Sequence, residues 1–438
     1  MNLWKDTYPL IVSCARGLAP LTAHELTRLG YKIIDSTENT VVVRGGMRDM
    51  MTLNLQLRTA HRVLVPLLRT TCGNLRYLYN DVYSIDWENL IDVDGYFTVN
   101  CVVRNDTVRD TRMPSLTTKD AIVDRIRDKR GGRPDSGRET YGAAVFVYWI
   151  NDELIIYIDT TGEPLSKRGY RKNPGVAPMQ ETLAAGCVLA SGWDGTSPFV
   201  VPMCGSGTPA IEAALYAINR APGSFKSHFG FMAIKGYRRM IPGEKAGVSV
   251  RQRFGATPEQ IWKDMVAVAR QQERRENLPP IIATDVSEDV VETAHLNAIA
   301  AGVAEYMTFG TCDFAATRLP SPPGVIFMNP PYGERLTTGG GTDTADLTAD
   351  TAMDDTDAPA DDQTSPGEPL DELYSRIGDF LKQKGTGYTG CVFTGNMELS
   401  RRIGLRSSRR ITFYNGPIEC RLVVFDLYEG DKTCAPSP

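Results

Sequence analysis

The stretch VIFMNPPYGERL at 325–336 carries an apolar run into Asn329, Pro330, Pro331 and Tyr332. Each proline fixes its own φ, lacks an N–H and pushes the residue before it into extended geometry, so the run stops with free carbonyls. An amide oxygen beside a proline-presented carbonyl makes two fixed acceptors, which suit an exocyclic amine on a nucleobase. Such an amine is a poor nucleophile because its lone pair is delocalised into the ring. Holding both amino hydrogens turns the lone pair toward an electrophile and stabilises the nitrogen as it becomes positive, without a strong general base. Tyr332 would stack on the base, which must be unpaired or flipped out to arrive there. By themselves the four residues also fit ordinary turn chemistry, a strand terminator with a capping Asn.

Other residues with the same potential close other strand-like runs. In MCGSGT, residues Met203, Cys204, Gly205, Ser206, Gly207 and Thr208 join a short apolar run to a helical pattern. The glycines allow a tight turn and a close backbone approach, and the next helix points its free amides at whatever sits there. The loop has neither the Gly-Lys-Ser/Thr of a phosphate loop nor the G-x-G-x-x-G dinucleotide spacing, which argues against phosphate as its ligand. Asp285, at the end of IIATD, is placed to accept from vicinal ribose hydroxyls, and Asp313, at the end of YMTFGTCDF, could accept from an exocyclic amine. Either Asp taken singly is as well explained as a helix N-cap. Together, after successive strands, they fit a nucleoside with a charged amino-acid tail, which describes S-adenosylmethionine. Its sulfonium methyl is the electrophile that Asn329 and Pro330 would face.

These loops need a scaffold. At 438 residues the chain exceeds one ordinary core, so two or three domains are expected. Residues 1–55 alternate short β-like runs with an amphipathic helix that closes on Gly30, and 56–162 add β-like runs and a hairpin turning at Asn151-Asp152. A linker over 163–180 leads to strands alternating with helices over 181–430, the pattern of a parallel α/β sheet, with a last pair joined at Asn415-Gly416. All of its polar punctuation falls at carboxyl ends of strands, where open α/β sheets bind ligands.

Apolar residues make up 42% and charged residues 23%, a normal balance for a water-soluble chain. No stretch approaches the ~20 apolar residues of a membrane span. The N-terminal MNLWKDTYPL lacks a signal-peptide layout, so a cytoplasmic location and no membrane partner are expected. Nine cysteines without a Cys-X-X-Cys pair and four scattered histidines predict free thiols and no metal.

Charge is uneven along the chain. Residues 337–369 hold eight Asp, one Glu and no Lys or Arg, and without them the formal charge moves from −5 to +4. So little apolar content cannot offset ordering entropy, and the segment reads as a disordered acidic insertion; its Asp spacing does not match a calcium loop. Basic residues gather instead in LTTKDAIVDRIRDKRGGRP, a helix with its cap expected at Thr117 or Thr118 that carries Lys119, Arg125, Arg127, Lys129 and Arg130, with Arg104, Arg109 and Arg112 nearby and KRGYRK following at 167–172. That density, with Tyr170 among the bases, is the footprint of phosphate-backbone contact, although a basic helix face is often only a solvated surface.

Several of these segments together carry a family resemblance: CARGLAPLTAHEL, RNDTVRDTRMPSLTTKDAIVDRIRDK, KRGYRKNPGVAPMQETLAA, PMCGSGTPAIEAA and NPPYGERL. The chain resembles the THUMP-domain guanine-N2 RNA methyltransferases, most closely the large-subunit ribosomal RNA enzymes of the RlmL type. NPPY alone also occurs in DNA adenine and protein glutamine methyltransferases. The resemblance implies a ferredoxin-like unit, a THUMP RNA-binding domain and a Rossmann-like methyltransferase sheet with an antiparallel last strand. It implies S-adenosylmethionine held by 204–208, Asp285 and Asp313, with Met203 beside them, and catalysis at 329–332; the basic density adds Arg104, Arg109, Lys119, Arg168 and Arg171 as candidate RNA contacts. The partner would be 23S rRNA or a large-subunit assembly intermediate. Two departures stand out, Val201 where the family usually has Asp, and the acidic insertion after GERL. A tRNA guanine substrate, an RNA-binding protein that has lost catalysis, and a DNA adenine methyltransferase are the competing readings; the last leaves residues 1–162 without a role.

Overall fold

The computed structural model describes residues 2–110, 112–171, 179–238, 256–333 and 368–428. They form two compact units, the first within 2–168 and 221–272, the second within 169–220, 273–333 and 368–428. Most of the acidic insertion lies outside the described residues. No helix among them is long and apolar enough to cross a membrane.

The first unit is built on one mixed sheet of eight strands: β1 (Tyr8–Cys14), β2 (Asp35–Ser36), β3 (Thr40–Gly45), β4 (Ala60–Thr71), β5 (Tyr96–Arg104), β6 (Asp135–Ser136), β7 (Ala143–Ile150) and β8 (Glu153–Asp159). Their order is β2-β3-β1-β4-β8-β7-β5-β6. The central β4 pairs with β1 on one side and β8 on the other, joining the two halves of the sheet. Pro66 falls inside this strand and would ordinarily argue against one; its missing N–H sits where the pairing register already shifts, between Pro66 and Leu68. The β7–β8 hairpin turns at Asn151, whose φ of 52° suits an amide side chain.

Five described helices belong to this unit: α1 (Ala19–Arg28), α2 (Met47–Gln56), α3 (Leu75–Ser84), α4 (Met113–Arg130) and α7 (Pro258–Gln271). The basic helix α4 starts at Met113 with Pro114 in its first turn, earlier than a Thr117 or Thr118 cap would allow. Proline supplies a ready-made helical φ there, and Thr118 is buried instead of capping. The helix ends on Gly131 at φ 73°, a left-handed C-cap.

The second unit holds a seven-stranded sheet in the order β11-β10-β9-β12-β13-β15-β14. Its strands are β9 (Phe199–Val201), β10 (Ile281–Asp285), β11 (Met307–Thr311), β12 (Gly324–Met328), β13 (Tyr388–Thr394), β14 (Arg409–Asn415) and β15 (Ile418–Asp426). The first five pair in parallel and β15 enters antiparallel between β13 and β14. Helices α5 (Glu181–Ala190), α6 (Thr208–Ala217), α8 (Glu288–Ala300), α9 (Leu370–Lys384) and α10 (Met397–Arg402) complete the unit. Helix α9 turns Tyr374, Ile377, Phe380 and Leu381 into a core with Ile326, Met328, Val392 and Val423, the 3.6-residue spacing of a half-buried helix. Almost every residue of α5 is buried, so it has no polar face to produce a periodic signal.

Candidate active site at the strand ends

From β9 the sheet grows through β10 and β11 in one direction and through β12 and β13 in the other. Such a point of reversal opens a crevice at the carboxyl ends of the strands. Parallel pairing aligns those ends: Ala283 lies beside Val201, and Ile326 beside Val200. The loops after β9, β10 and β12 therefore leave the sheet at neighbouring points.

The loop after β9 is held from several sides. The Cys204 N–H donates to the Thr284 carbonyl at 2.9 Å, and the Gly207 N–H to the Cys204 carbonyl at 2.9 Å. Asn297 on α8 donates from Nδ2 to the Ser206 carbonyl at 3.1 Å, and the Ser206 and Thr208 hydroxyls meet at 3.3 Å. Met203 is half-buried against the core below, and the Cys204 side chain is buried, so this loop offers a ligand its backbone more than its thiol. Gly207 has φ 84°, and a Cβ there would lie 2.9 Å from the Ala294 Cβ. Gly205, at φ 51°, has nothing within 4 Å of that position. Open space thus faces the first glycine while the second is wedged against α8.

Asp285 faces that space. Its carboxylate accepts from the Gly205 N–H at 3.1 Å and the Ser287 N–H at 3.4 Å. Burial raises its pKa above the ordinary value, with the N–H groups of Gly205, Ser287 and Val286 opposing the shift. Asp313 caps its own turn through the Ala315 N–H at 2.9 Å and takes the Arg376 guanidinium on its other oxygen at 2.7 Å. Arg376 also binds Glu368 and lies 4.8 Å from the centre of the Phe314 ring, so α9 anchors this corner. Open backbone at Gly205 and an acceptor at Asp285 fit a nucleoside-type group; Val201, wholly buried in β9, adds no polar contact.

At the end of β12, Pro330 is buried, Pro331 exposed, and Asn329 and Tyr332 half-buried. The Asn329 Oδ1 is shielded from solvent and accepts no hydrogen bond among the described residues. A buried acceptor left unmet costs about 1–3 kcal/mol, so this oxygen is poised for a donor supplied from outside. The Tyr332 hydroxyl accepts from Asn415 Nδ2 at 3.4 Å, and its ring lies against Gly395, where a Cβ would come within 3.0 Å. Gly395 at the end of β13 belongs to no motif, and Asn415, legible in the sequence as a turn residue at the end of β14, reaches Tyr332 only through the fold.

The expected basic surface changes in detail. Arg104 and Arg109 are exposed and Lys119 is half-buried. Arg168 is only 2% exposed and donates to the Arg58 carbonyl at 2.7 Å, so it presents no charge to a phosphate. Arg171 turns inward to Glu181 at 3.0 Å, and Tyr170 is buried with its hydroxyl on Glu212 at 2.8 Å. On α4, Arg125 is bound by Asp86 and Glu88, and Arg127 by Asp124. Basic density along a sequence counts these residues without knowing which acids the fold brings to them. Lys172 lies outside the described residues.

Comparisons with known proteins agree with this arrangement. Residues 9–64 match the RlmL ferredoxin-like domain, 72–159 the THUMP domain and 168–350 the RMKL-like methyltransferase domain. The Synechocystis protein slr0064, named as an RNA methyltransferase, is 30% identical over 96% of this chain and 97% of its own length. Ribosomal RNA large subunit methyltransferase K/L of Magnetococcus marinus is 31% identical over 95% of this chain, which spans 53% of that larger protein. The crystal structure of SMU.472, described as a methyltransferase complexed with SAH, shares the fold at a TM-score of 0.77 and 24% identity, covering 98% of this chain and 100% of its own. With ferredoxin-like, THUMP and methyltransferase portions in one chain, and a full-length relative among RNA methyltransferases, the protein belongs to the RlmL-like family of THUMP-containing RNA methyltransferases.

Proposed function

We propose that the protein transfers a methyl group from S-adenosylmethionine to the exocyclic N2 amine of a guanine in RNA, with 23S rRNA as the substrate. The observation that carries this reading is the buried Oδ1 of Asn329 at the end of β12, which meets no donor among the described residues. When bound, the donor supplies an electrophilic methyl; the chain's own residues do the rest. The 203–208 loop and Asp285 hold the nucleoside part, and Asp313, already fixed by Arg376, borders it. Asn329 Oδ1 and the Pro330 carbonyl accept the two amino hydrogens of the target base, fixing its lone pair toward the methyl and stabilising the charge that develops. The Tyr332 ring, propped on Gly395, offers the base a stacking face.

An adenine N6 amine presents the same pair of hydrogens, so the decisive experiment identifies the product nucleoside. Purified protein is incubated with S-adenosylmethionine and, separately, with unmodified 23S rRNA, tRNA or duplex DNA, then digested and analysed by mass spectrometry. N2-methylguanosine from 23S rRNA is expected. N2-methylguanosine from tRNA alone moves the substrate, and N6-methyladenine from any of the three overturns the guanine reading.

Asp285→Ala is expected to weaken S-adenosylmethionine binding by about 1–3 kcal/mol, through the lost acceptor for ribose hydroxyls, as read by calorimetry. Because burial raises the Asp285 pKa, the ionised acceptor is present above that raised value and lost as pH falls through it. Donor affinity should therefore decline on acidification sooner than an ordinary aspartate would allow, and Asp285→Asn should flatten the profile. Equal pH profiles for the two proteins would place the donor elsewhere.

A further inference from the structure

Residues 401–410 read RRIGLRSSRR, five arginines in ten residues with no acid. The fold places Arg401 and Arg402 at the end of α10, Arg406 in the following loop, and Arg409 and Arg410 at the start of β14, all exposed. Some of this charge has a plain structural use. Charged side chains on an edge strand discourage pairing with another chain, and β14 is the sheet's edge. Arg409 donates to the Ser191 carbonyl at 3.3 Å, Arg410 to the Ser407 hydroxyl at 3.0 Å, and Arg402 pairs with Asp371 at 2.9 Å.

Arg401 and Arg406 are different. Neither lies on the edge strand, and neither side chain makes a hydrogen bond or ion pair with a described residue. Between them lies Gly404, where a Cβ would sit 3.3 Å from the Lys382 ammonium of α9, which borders this loop while holding a 4.0 Å contact with Asp379. The contrast with α4 is direct, because there Arg125 and Arg127 are held by the protein's own acids. Exposed guanidiniums that no described acid compensates gain when an anion with repeating charge lies across them.

Their position suggests which anion. Helix α10 starts immediately beyond Gly395, on which the Tyr332 ring rests, and is capped by Asn396 through the N–H groups of Glu398 and Leu399. Helix α10 runs from Met397 to Arg402, so Arg401 lies about 6 Å along the axis from its first residue, which is itself two positions beyond Gly395. Arg401 and Arg406 thus sit on the segment that leaves the strand end beside Tyr332, where the backbone of an RNA bearing the target base would pass.

We infer that Arg401 and Arg406, with Lys382 beside them, form a phosphate-contacting track on the methyltransferase unit that grips the RNA strand next to the target nucleotide. The inference rests on the RNA-methylation reading above. The track contacts backbone and not bases, so it contributes affinity and register without sequence choice. It does not touch the reacting amine.

The test is the double variant Arg401→Gln/Arg406→Gln, which breaks no described hydrogen bond and so leaves folding intact, with the exposed Arg270→Gln on α7 as a control. A fluorescein-labelled RNA stem-loop transcript is titrated by anisotropy across a range of salt, alongside calorimetry with S-adenosylmethionine. Each lost contact should lower the slope of log affinity against log salt by about 0.7 for a single strand, and affinity at low salt should fall about tenfold for the pair. Donor affinity should not change, and in the methylation assay KM for RNA should rise with kcat nearly constant. Slopes identical to wild type overturn the inference while leaving RNA methylation untouched. Absence of RNA binding by the wild-type protein at every salt concentration overturns both. Competition by poly-glutamate as effective as by poly-uridine at equal charge would assign the face to acidic protein segments and reject RNA.

Discussion

Asn329→Ala is expected to lower kcat by about 10²–10³-fold, the usual result of deleting one fixed electrostatic contact to a developing charge, while RNA and donor affinities stay near wild type. The Asn329 Oδ1 meets no donor among the described residues, so removing it breaks none of their hydrogen bonds and frees the fold from an unmet acceptor. Thermal stability should therefore be unchanged or slightly raised, which separates a chemical role from a structural one. Asn329→Asp retains an acceptor at the same place and should keep more of the rate than alanine does. Turnover by the alanine variant within a few-fold of wild type would remove Asn329 from the mechanism.

Gly207→Ala is expected to damage both folding and donor binding. At φ 84° an alanine pays about 1–2 kcal/mol for left-handed backbone, and its Cβ would come 2.9 Å from the Ala294 Cβ and 3.2 Å from the Ala294 Cα. Overpacking against a helix backbone typically adds about 1–3 kcal/mol, so the two effects together approach about 2–5 kcal/mol. Relief comes only by moving α6 from α8 or by unwinding the loop, and either displaces the amides of 205–207. Denaturant unfolding should show the stability loss, and calorimetry a fall in S-adenosylmethionine affinity of at least about tenfold, with 1.4 kcal/mol corresponding to each factor of ten. Gly205→Ala is the useful comparison: the same backbone region lacks a neighbour within 4 Å, so its stability cost should be the smaller one. A Gly207→Ala protein with wild-type stability would mean that the close approach to Ala294 relaxes freely.

Much of the candidate site's local geometry was legible in the sequence because its features act locally. The proline pair after Asn329, the glycines of MCGSGT and the Asp at the end of IIATD all exert their effects through their own φ, their own N–H or their own strand. The alternation of strands and helices after residue 181 then implies a parallel sheet, and a parallel sheet brings such loops to one edge. Local signals also located the Asn151 hairpin and the Gly30 and Asn415-Gly416 turns. They failed for β4, where Pro66 hides a twelve-residue strand, and for α5, whose burial on nearly all sides erases periodicity.

By itself, then, the sequence determined which residue types could do the chemistry and that they would meet at strand ends, since backbone stereochemistry and hydrophobic period are properties of short segments. Only the tertiary structure decided which charges remain available. Arg168 and Arg171 stand in the same basic run, yet one is buried against a backbone carbonyl and the other paired with Glu181. Arg401 and Arg406 stand in an equally basic run and are left exposed without an acid among the described residues. It likewise brought Arg376 to Asp313 across 63 residues and Tyr332 onto Gly395. Coulomb attraction and desolvation depend on distances between residues far apart in the chain, and those distances exist only once the sheet and its helices have packed.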